Sequence, residues 1–256
     1  MHSFVILMYH MISEPKTGAE VKYACSQKRF EQHLQMLLCA GFKPVSIKAI
    51  EEYFSTQTPL PDQAFLITLD DGFEDNYSNA FPILQRYQIP AVIYLATGLV
   101  GKSNQWMCAS TFSERKMLSW TQIKDMANHD IDFGSHTVSH PKLTELDDNS
   151  VSKELVESKK IIEDQLSMEC KHFAYPYGLL TEKTRDLVQY AGFKTACSTR
   201  SGFNNVERDP LVLHRIEVYG DDSNWKLKQK IRFGMNDASI FFPLKYYSSR
   251  LLARIG

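Results

Sequence analysis

Residues 64–77 read AFLITLDDGFEDNY. Ala64 to Leu69 form an almost unbroken apolar run, the pattern of a strand buried on both faces, as parallel sheets require. The run ends on two adjacent carboxylates, Asp70 and Asp71, and Gly72 then lets the backbone turn. An unpaired charge inside an apolar core is strongly unfavourable, so both acids need partners. Parallel α/β folds assemble their sites at the C-terminal ends of their strands, where these two acids are delivered.

Working outward, strand and helix patterns alternate along the chain. Phe4–Tyr9 is apolar throughout and reads as a first buried strand. Ser26 is placed to cap a helix with Phe30, Leu34, Leu37 and Leu38 at helical spacing and Gly41 as its stop; His33 on that helix is expected at the surface. A strand near Pro44–Ser46, a short helix over Ile47–Phe54 and a Pro-containing loop lead into the central strand. Beyond it come a helix with Pro82 near its start, a strand over Ala91–Ala96, and a long polar loop from Thr97 to Phe112 that holds Trp106. Ser119 caps a further helix, beside which Trp120 reads as core packing; strands then follow at Ile131–Ser135, Lys171–Tyr175, Phe193–Ser198 and Leu211–Val218. Helices over Asn149–Met168 and Glu182–Tyr190 separate them. Such alternation specifies a mostly parallel sheet, and seven or eight units in one chain favour closure into a barrel.

The 256 residues suit one large core, and 43% hydrophobic with 23% charged residues is ordinary globular composition. No apolar run approaches the roughly 20 residues that span a bilayer. The opening MHSFVILMYH lacks a basic n-region and a cleavage site, so it reads as a strand and a cytoplasmic location is expected. Five scattered cysteines without a C-x-x-C pair fit reduced thiols and offer no ligand set. The net charge of −1 divides unevenly: residues 223–256 carry seven Lys or Arg against one Asp. The expected organisation is a barrel over residues 1–222 with a basic segment, 223–256, docked on it; membrane contact through that segment is the less favoured alternative. A near-neutral chain has little electrostatic footprint for nucleic acid.

The strand ends present Asp70 and Asp71, then His136 and His140 in GSHTVSHPKL, then the AYPYG turn, and His214 within the last strand. Pro141 disfavours helix at His140, so the histidine pair sits on a tight loop or single turn, and its two imidazoles can converge. One carboxylate and two histidines form a three-ligand site with an open position, the pattern of a catalytic divalent ion. Bound zinc lowers the pKa of its water to about 7, and the second carboxylate then serves as general base.

The set LDDG, HTVSH and AYPYG, in that order, resembles the polysaccharide deacetylase family (carbohydrate esterase family 4, NodB homology domain). The segments ILMYHMI, KRFEQHLQMLLCAGFKPVS and LSWTQIKDM look like one branch of it, so the resemblance runs from about Phe4 to Val218. It implies a deformed (β/α) barrel of about seven parallel strands and metal-dependent hydrolysis of N-acetyl groups on a glycan, with zinc as the expected ion. By this resemblance Asp70 matches the general base, and Asp71, His136 and His140 match the metal ligands. Tyr177 matches the position whose backbone N–H stabilises the oxyanion, and Pro176 shapes that turn. Trp106 is a candidate for the sugar groove.

The chain departs from the family pattern at two places. Ala174 stands where the family often carries an arginine buttressing the base, and no matching aspartate and tryptophan motif follows, so another group must orient Asp70. The resemblance implies a histidine general acid in a late Leu-x-His strand: His214, in LVLHRIEV, is the nearest match but comes early and is followed by Arg215, and His10 at the end of the first strand is its rival. The expected substrate is an N-acetylated sugar of a surface polysaccharide, lipopolysaccharide or exopolysaccharide, or its nucleotide- or lipid-linked precursor. The alternatives are a cyclic amide or imide hydrolase on the same barrel and a non-catalytic carbohydrate-binding module.

Overall fold

The structure is a computed structural model that describes residues 3–107, 111–237 and 239. In chain order the strands and α-helices are β1 (Val5–Tyr9), α1 (Gln27–Cys39), β2 (Lys43–Pro44), α2 (Ile47–Thr56), β3 (Ala64–Leu69), α3 (Phe81–Tyr87), β4 (Ala91–Leu95), α4 (Trp120–Ala127), β5 (Ile131–Ser135), α5 (Asp148–Leu166), β6 (His172–Ala174), α6 (Glu182–Tyr190), β7 (Thr195–Cys197), β8 (Ile216–Glu217) and α7 (Asn224–Phe233). Polar caps set the helix starts: Ser26, Ser46, Ser119, Asp147, Thr181 and Ser223 each accept a backbone N–H of the first turn. Pro82 falls at the beginning of α3, where its missing N–H costs nothing.

The strands pair in the order β7-β6-β5-β4-β3-β1-β8, with β2 against β3, and every pairing is parallel. β3 lies inside this sheet, between β1 and β4 with β2 also against it, and all six of its residues are buried. Its apolar side chains divide between two core clusters: Phe65, Ile67 and Leu69 pack outward with α1, α3 and α4, while Ala64 and Leu66 join Ile6, Tyr94 and Ala174. The sheet curls into a deformed (β/α) barrel. Its seam is thin: a single parallel bridge from Cys197 to Leu213 joins β7 to the chain entering β8, which then pairs with β1.

Three expectations need correction. The last strand is shorter than Leu211–Val218, because its first half leans on β7 and only Ile216–Glu217 settles against β1. The strand expected at Pro44–Ser46 lies at Lys43–Pro44, since Ser46 is taken as the cap of α2. His33 is fully buried: the Tyr9 hydroxyl lies 3.1 Å from Nδ1 and the Asp222 carbonyl 2.8 Å from Nε2. Helical spacing put it beside the apolar stripe, and two polar partners made burial tolerable. Trp120 packs against the core as expected. Cys25, Cys170 and Cys197 are buried and Cys39 is exposed, all as free thiols, whereas Cys108 lies outside the described residues. No helix among the described residues is long and apolar enough to cross a membrane. Of the basic segment, α7 is described: buried Lys230 donates to Asp222 and to the Glu217 carbonyl, tying it to the barrel. The remainder, residues 238 and 240–256, lies outside the described residues.

Burial holds His33 down to about 4 and His172 down to about 3, the latter helped by Lys171 and Lys48. Both are therefore neutral in the folded chain, whereas in the unfolded chain they take up a proton near pH 6.5. Their stabilisation is complete above about pH 6.5 and is lost as pH falls, through about 4 for His33 and about 3 for His172. Denaturant titrations of metal-free protein across that window should show stability falling. His33→Gln should remove one histidine's share of the slope, up to about 1.4 kcal/mol per pH unit.

Candidate active site

At the C-terminal end of β3 the Asp70 N–H donates to the Tyr9 carbonyl at 3.0 Å, continuing the β1 ladder by one step. Asp71 then leaves the strand with φ +75° and Gly72 follows at +81°. These left-handed angles swing consecutive carboxylates to different places, and a Cβ at Gly72 would stand 2.8 Å from the Leu95 side chain. His136 follows β5, its N–H donating to the Leu95 carbonyl at 2.8 Å. His140 adopts φ +60°, and its N–H donates to Thr137 Oγ1 at 3.0 Å. Glu154 of α5 braces the turn between them by accepting the N–H groups of Val138 and Ser139 at 2.7 and 3.0 Å. Sequence spacing alone left this geometry open; the bracing acid sits among surface charges of an amphipathic helix and carried no signal.

The three expected ligands converge. His136 Nε2 and His140 Nε2 lie 3.5 and 3.3 Å from Asp71 Oδ1, and one ligand atom from each residue falls within 4.8 Å of the others. Ligands held at about 2.1 Å around a tetrahedral zinc stand roughly 3.4 Å apart, so this donor set fits such an ion. The tautomer fits as well. His136 Nδ1 lies 2.7 Å from the Ala174 carbonyl, a contact that requires an N–H there and leaves Nε2 with its lone pair toward Asp71. Burial, then the neighbouring His140, holds His136 down to about 4, so its imidazole is neutral at physiological pH. His140 Nδ1 is buried and finds no hydrogen-bond partner among the described residues. For Asp71, burial alone would favour the protonated acid, but the histidines outweigh it and keep the carboxylate ionised.

Asp70 is held by Arg215. The guanidinium donates through Nη1 to Oδ1 at 2.6 Å and through Nη2 to Oδ2 at 2.7 Å, a bidentate pair with arginine 0% and aspartate 2% exposed. Its Nε–H donates to the Ser198 carbonyl at 2.9 Å, and Nη1 also reaches Thr68 Oγ1 at 3.3 Å. Burial pushes the Asp70 pKa up, yet the charges of Arg215 and His136 overcome this and hold it below the usual carboxylate range. The group that orients Asp70 thus comes from β8's approach rather than from Ala174, whose carbonyl instead fixes His136. Sequence reasoning left Arg215 unassigned; the signal that could have found it is a guanidinium within the strand pattern LVLHRIEV, where burial calls for a carboxylate partner.

A cavity of about 380 Å³ opens over these groups, lined by His10, Tyr23, Asp70, Asp71, Trp106, Phe112, His136, His140, Tyr177 and Glu217 among others. His10 therefore shares the cavity with both acids, and its ring meets Tyr23 edge-on at 5.2 Å. Tyr177 takes φ +59° and sets its ring 4.7 Å from His140; Trp106 stands 5.2 Å from the same imidazole. Two expected residues lie elsewhere. Pro176 is buried at the start of its turn and does not line the cavity. His214 does not reach it: neighbours in a strand point oppositely, so as Arg215 turns inward His214 faces Gly202, its backbone bonded to Asn204.

A parallel barrel that gathers a carboxylate, two imidazoles and an arginine-held second acid at its strand ends has the architecture of a hydrolytic barrel. The chain belongs to the polysaccharide deacetylase family, whose model matches residues 57–196. It is 30% identical, over 80% of its length and 71% of the relative's, to poly-beta-1,6-N-acetyl-D-glucosamine N-deacetylase of Staphylococcus aureus. The Streptococcus pyogenes deacetylase PplD, solved in complex with acetate, superposes with a TM-score of 0.77 at 26% identity over 89% of this chain and 97% of that one. IcaB from Ammonifex degensii does so with a TM-score of 0.74 at 26% identity, covering 86% and 94%.

Arg215→Leu leaves Asp70 buried and unpaired, so the acid should titrate well above its present range and the protein should lose about 3–5 kcal/mol of stability. Denaturant unfolding with and without the Asp70→Asn companion checks this. The double variant should recover part of the loss, and equal losses would break the assignment.

Proposed function

We propose that this protein removes N-acetyl groups from a hexosamine glycan, in a surface polysaccharide or its nucleotide- or lipid-linked precursor. The observation that carries this reading is the placement of an ionised, arginine-held Asp70 beside the Asp71, His136 and His140 trio within one cavity. The family membership and the N-deacetylase relative support the same chemistry.

When held by Asp71, His136 and His140, a divalent ion, expected to be zinc, supplies Lewis acidity and an activated water. Asp70 is ionised at neutral pH and fixed by two charge-assisted hydrogen bonds, so it receives the proton of the attacking water without reorienting. Attack at the amide carbonyl builds negative charge on its oxygen, which the Tyr177 backbone N–H is assigned to stabilise. The C–N bond then breaks. His10 delivers a proton to the departing amine, giving acetate and a free amino sugar. Trp106 and Phe112 present apolar faces of the kind a pyranose ring covers.

Arg215 supplies the buttress whose absence at Ala174 favoured a cyclic amide hydrolase, and with His10 in the cavity as an acid it also answers the two grounds for an inactive binding module. The test is acetate release from a β-1,6-linked N-acetylglucosamine pentasaccharide by zinc-loaded protein. Asp70→Asn and His10→Ala should each lower kcat by about 10²–10⁴ while zinc still binds in calorimetry. His214→Ala should keep kcat within about twofold, since that side chain touches no reacting atom. Turnover surviving Asp70→Asn, or lost with His214→Ala, would reverse these roles.

A further inference from the structure

Three of the chain segments that wall the cavity meet on one side of it. The segment after β1 brings His10 and Tyr23, the turn after β3 brings Phe73, and the loop after β4 brings Trp106, Met107 and Phe112. The second and third are joined by main chain: Leu118 N–H donates to the Gly72 carbonyl at 2.9 Å, Glu74 N–H donates to the Lys116 carbonyl at 2.9 Å, and Phe73 bridges Met117. Between the first and third, the strongest tie is a buried ion pair. Glu20 is 0% exposed and Arg115 8%. Arg115 Nη2 donates to Glu20 Oε2 at 2.5 Å and to the Glu14 carbonyl at 2.9 Å, and Nη1 donates to Ser13 Oγ at 3.0 Å.

Glu20 is saturated from both sides. Its Oε1 accepts the Ser113 N–H at 3.0 Å and hydroxyl at 2.5 Å, and its Oε2 accepts the Lys16 N–H at 2.6 Å. These donors, with Arg115 chief among them, outweigh the burial that would otherwise protonate it and draw its pKa down to about 2. Ser13 passes the connection on by donating to Asp75 Oδ2 at 2.6 Å, on the segment that follows the catalytic turn. The rings above the pair meet across the same junction, Tyr23 lying 5.7 Å from Phe112. Neither charged residue lines the cavity.

We propose that Glu20 and Arg115 are positioning residues for substrate: the pair holds the His10–Tyr23 wall at a fixed separation from the Trp106–Phe112 wall, setting the width of the groove that grips the sugar. This rests on the glycan-deacetylase reading for its ligand, though not for the pair itself. A buried charge pair suits the task because removing one partner leaves the other uncompensated, so the separation is held stiffly. The metal-binding trio is bound to β3 and β5 and is outside this tie.

The test compares zinc-loaded wild type with Glu20→Gln, Arg115→Met and the milder Ser113→Ala, well below their melting temperatures. His10 keeps an anchor of its own, since its carbonyl accepts from Asn76 Nδ2 at 2.8 Å, so loosening falls on Tyr23 and the facing aromatic wall: KM for the pentasaccharide should rise about tenfold while kcat stays within about threefold. Zinc affinity should be unchanged, and amide exchange should quicken over residues 11–24 and 97–107 while β3 stays protected. Ser113→Ala keeps the ion pair and should shift KM in the same direction by a smaller factor. Unchanged KM and exchange would overturn the proposal, as would kcat, zinc affinity and β3 protection falling together, which marks a general role in folding. Should wild type release no acetate, the deacetylase reading fails by itself. Calorimetric binding of the pentasaccharide and the exchange pattern then decide the pair: weaker binding with looser walls upholds it, and no change in either rejects it.

Discussion

A guanidinium buried in the middle of a barrel is the interaction on which the rest of this structure depends. Asp70 and Asp71 are consecutive, both nearly inaccessible, and both ionised, an arrangement that like-charge repulsion and desolvation each oppose. It is sustainable only if the two acids are compensated separately. Arg215 takes both oxygens of Asp70, and the left-handed step at Asp71 carries the second carboxylate away toward two imidazoles. The strained backbone at Asp71, Thr137, His140 and Tyr177 clusters around the same cavity, as expected where chain geometry is subordinated to a site.

That compensation also divides the labour. A carboxylate bound by two charge-assisted hydrogen bonds is oriented and kept anionic, but its lone pairs are partly spent. The neighbouring acid faces two imidazoles, and that of His136 is neutral with its lone pair directed at it, which suits a donor set for a cation. Adjacent, chemically identical residues therefore acquire opposite tasks from their surroundings alone.

The element order and the core were largely legible from periodicity, because strands buried on both faces leave continuous apolar runs such as FVILMY and AVIYLA. Helix starts were legible from serine caps. The misreadings have local causes: His33 has hydrogen-bond partners that pattern cannot reveal, and the segment from Leu211 to Val218 splits its pairing between two neighbours at the seam. In the site, Asp70, Asp71, His136 and His140 were found by motif, and His10 was retained as a candidate acid. Arg215 was visible but unassigned, since choosing between it and His214 as the inward residue requires strand register. Glu154, Glu20 and Arg115 were not singled out, because acids and bases on helices and loops look alike until their partners, 15 to 95 residues away, are known.

The thin seam between β7 and β8 has one more implication. Arg215 leaves the chain entering β8, bonds Ser198 just past β7, and ends on β3, so one side chain crosses the barrel's interior and touches both sides of its weakest join. The axis of a closed barrel is nearly equidistant from every strand, so a long inward side chain at the right height can reach the same central point from almost any of them. The supply of positive charge to Asp70 is therefore a matter of depth inside the barrel rather than order along the chain. In this protein it enters from the strand that closes the barrel, so shutting the fold and fixing Asp70 are accomplished by the same residue.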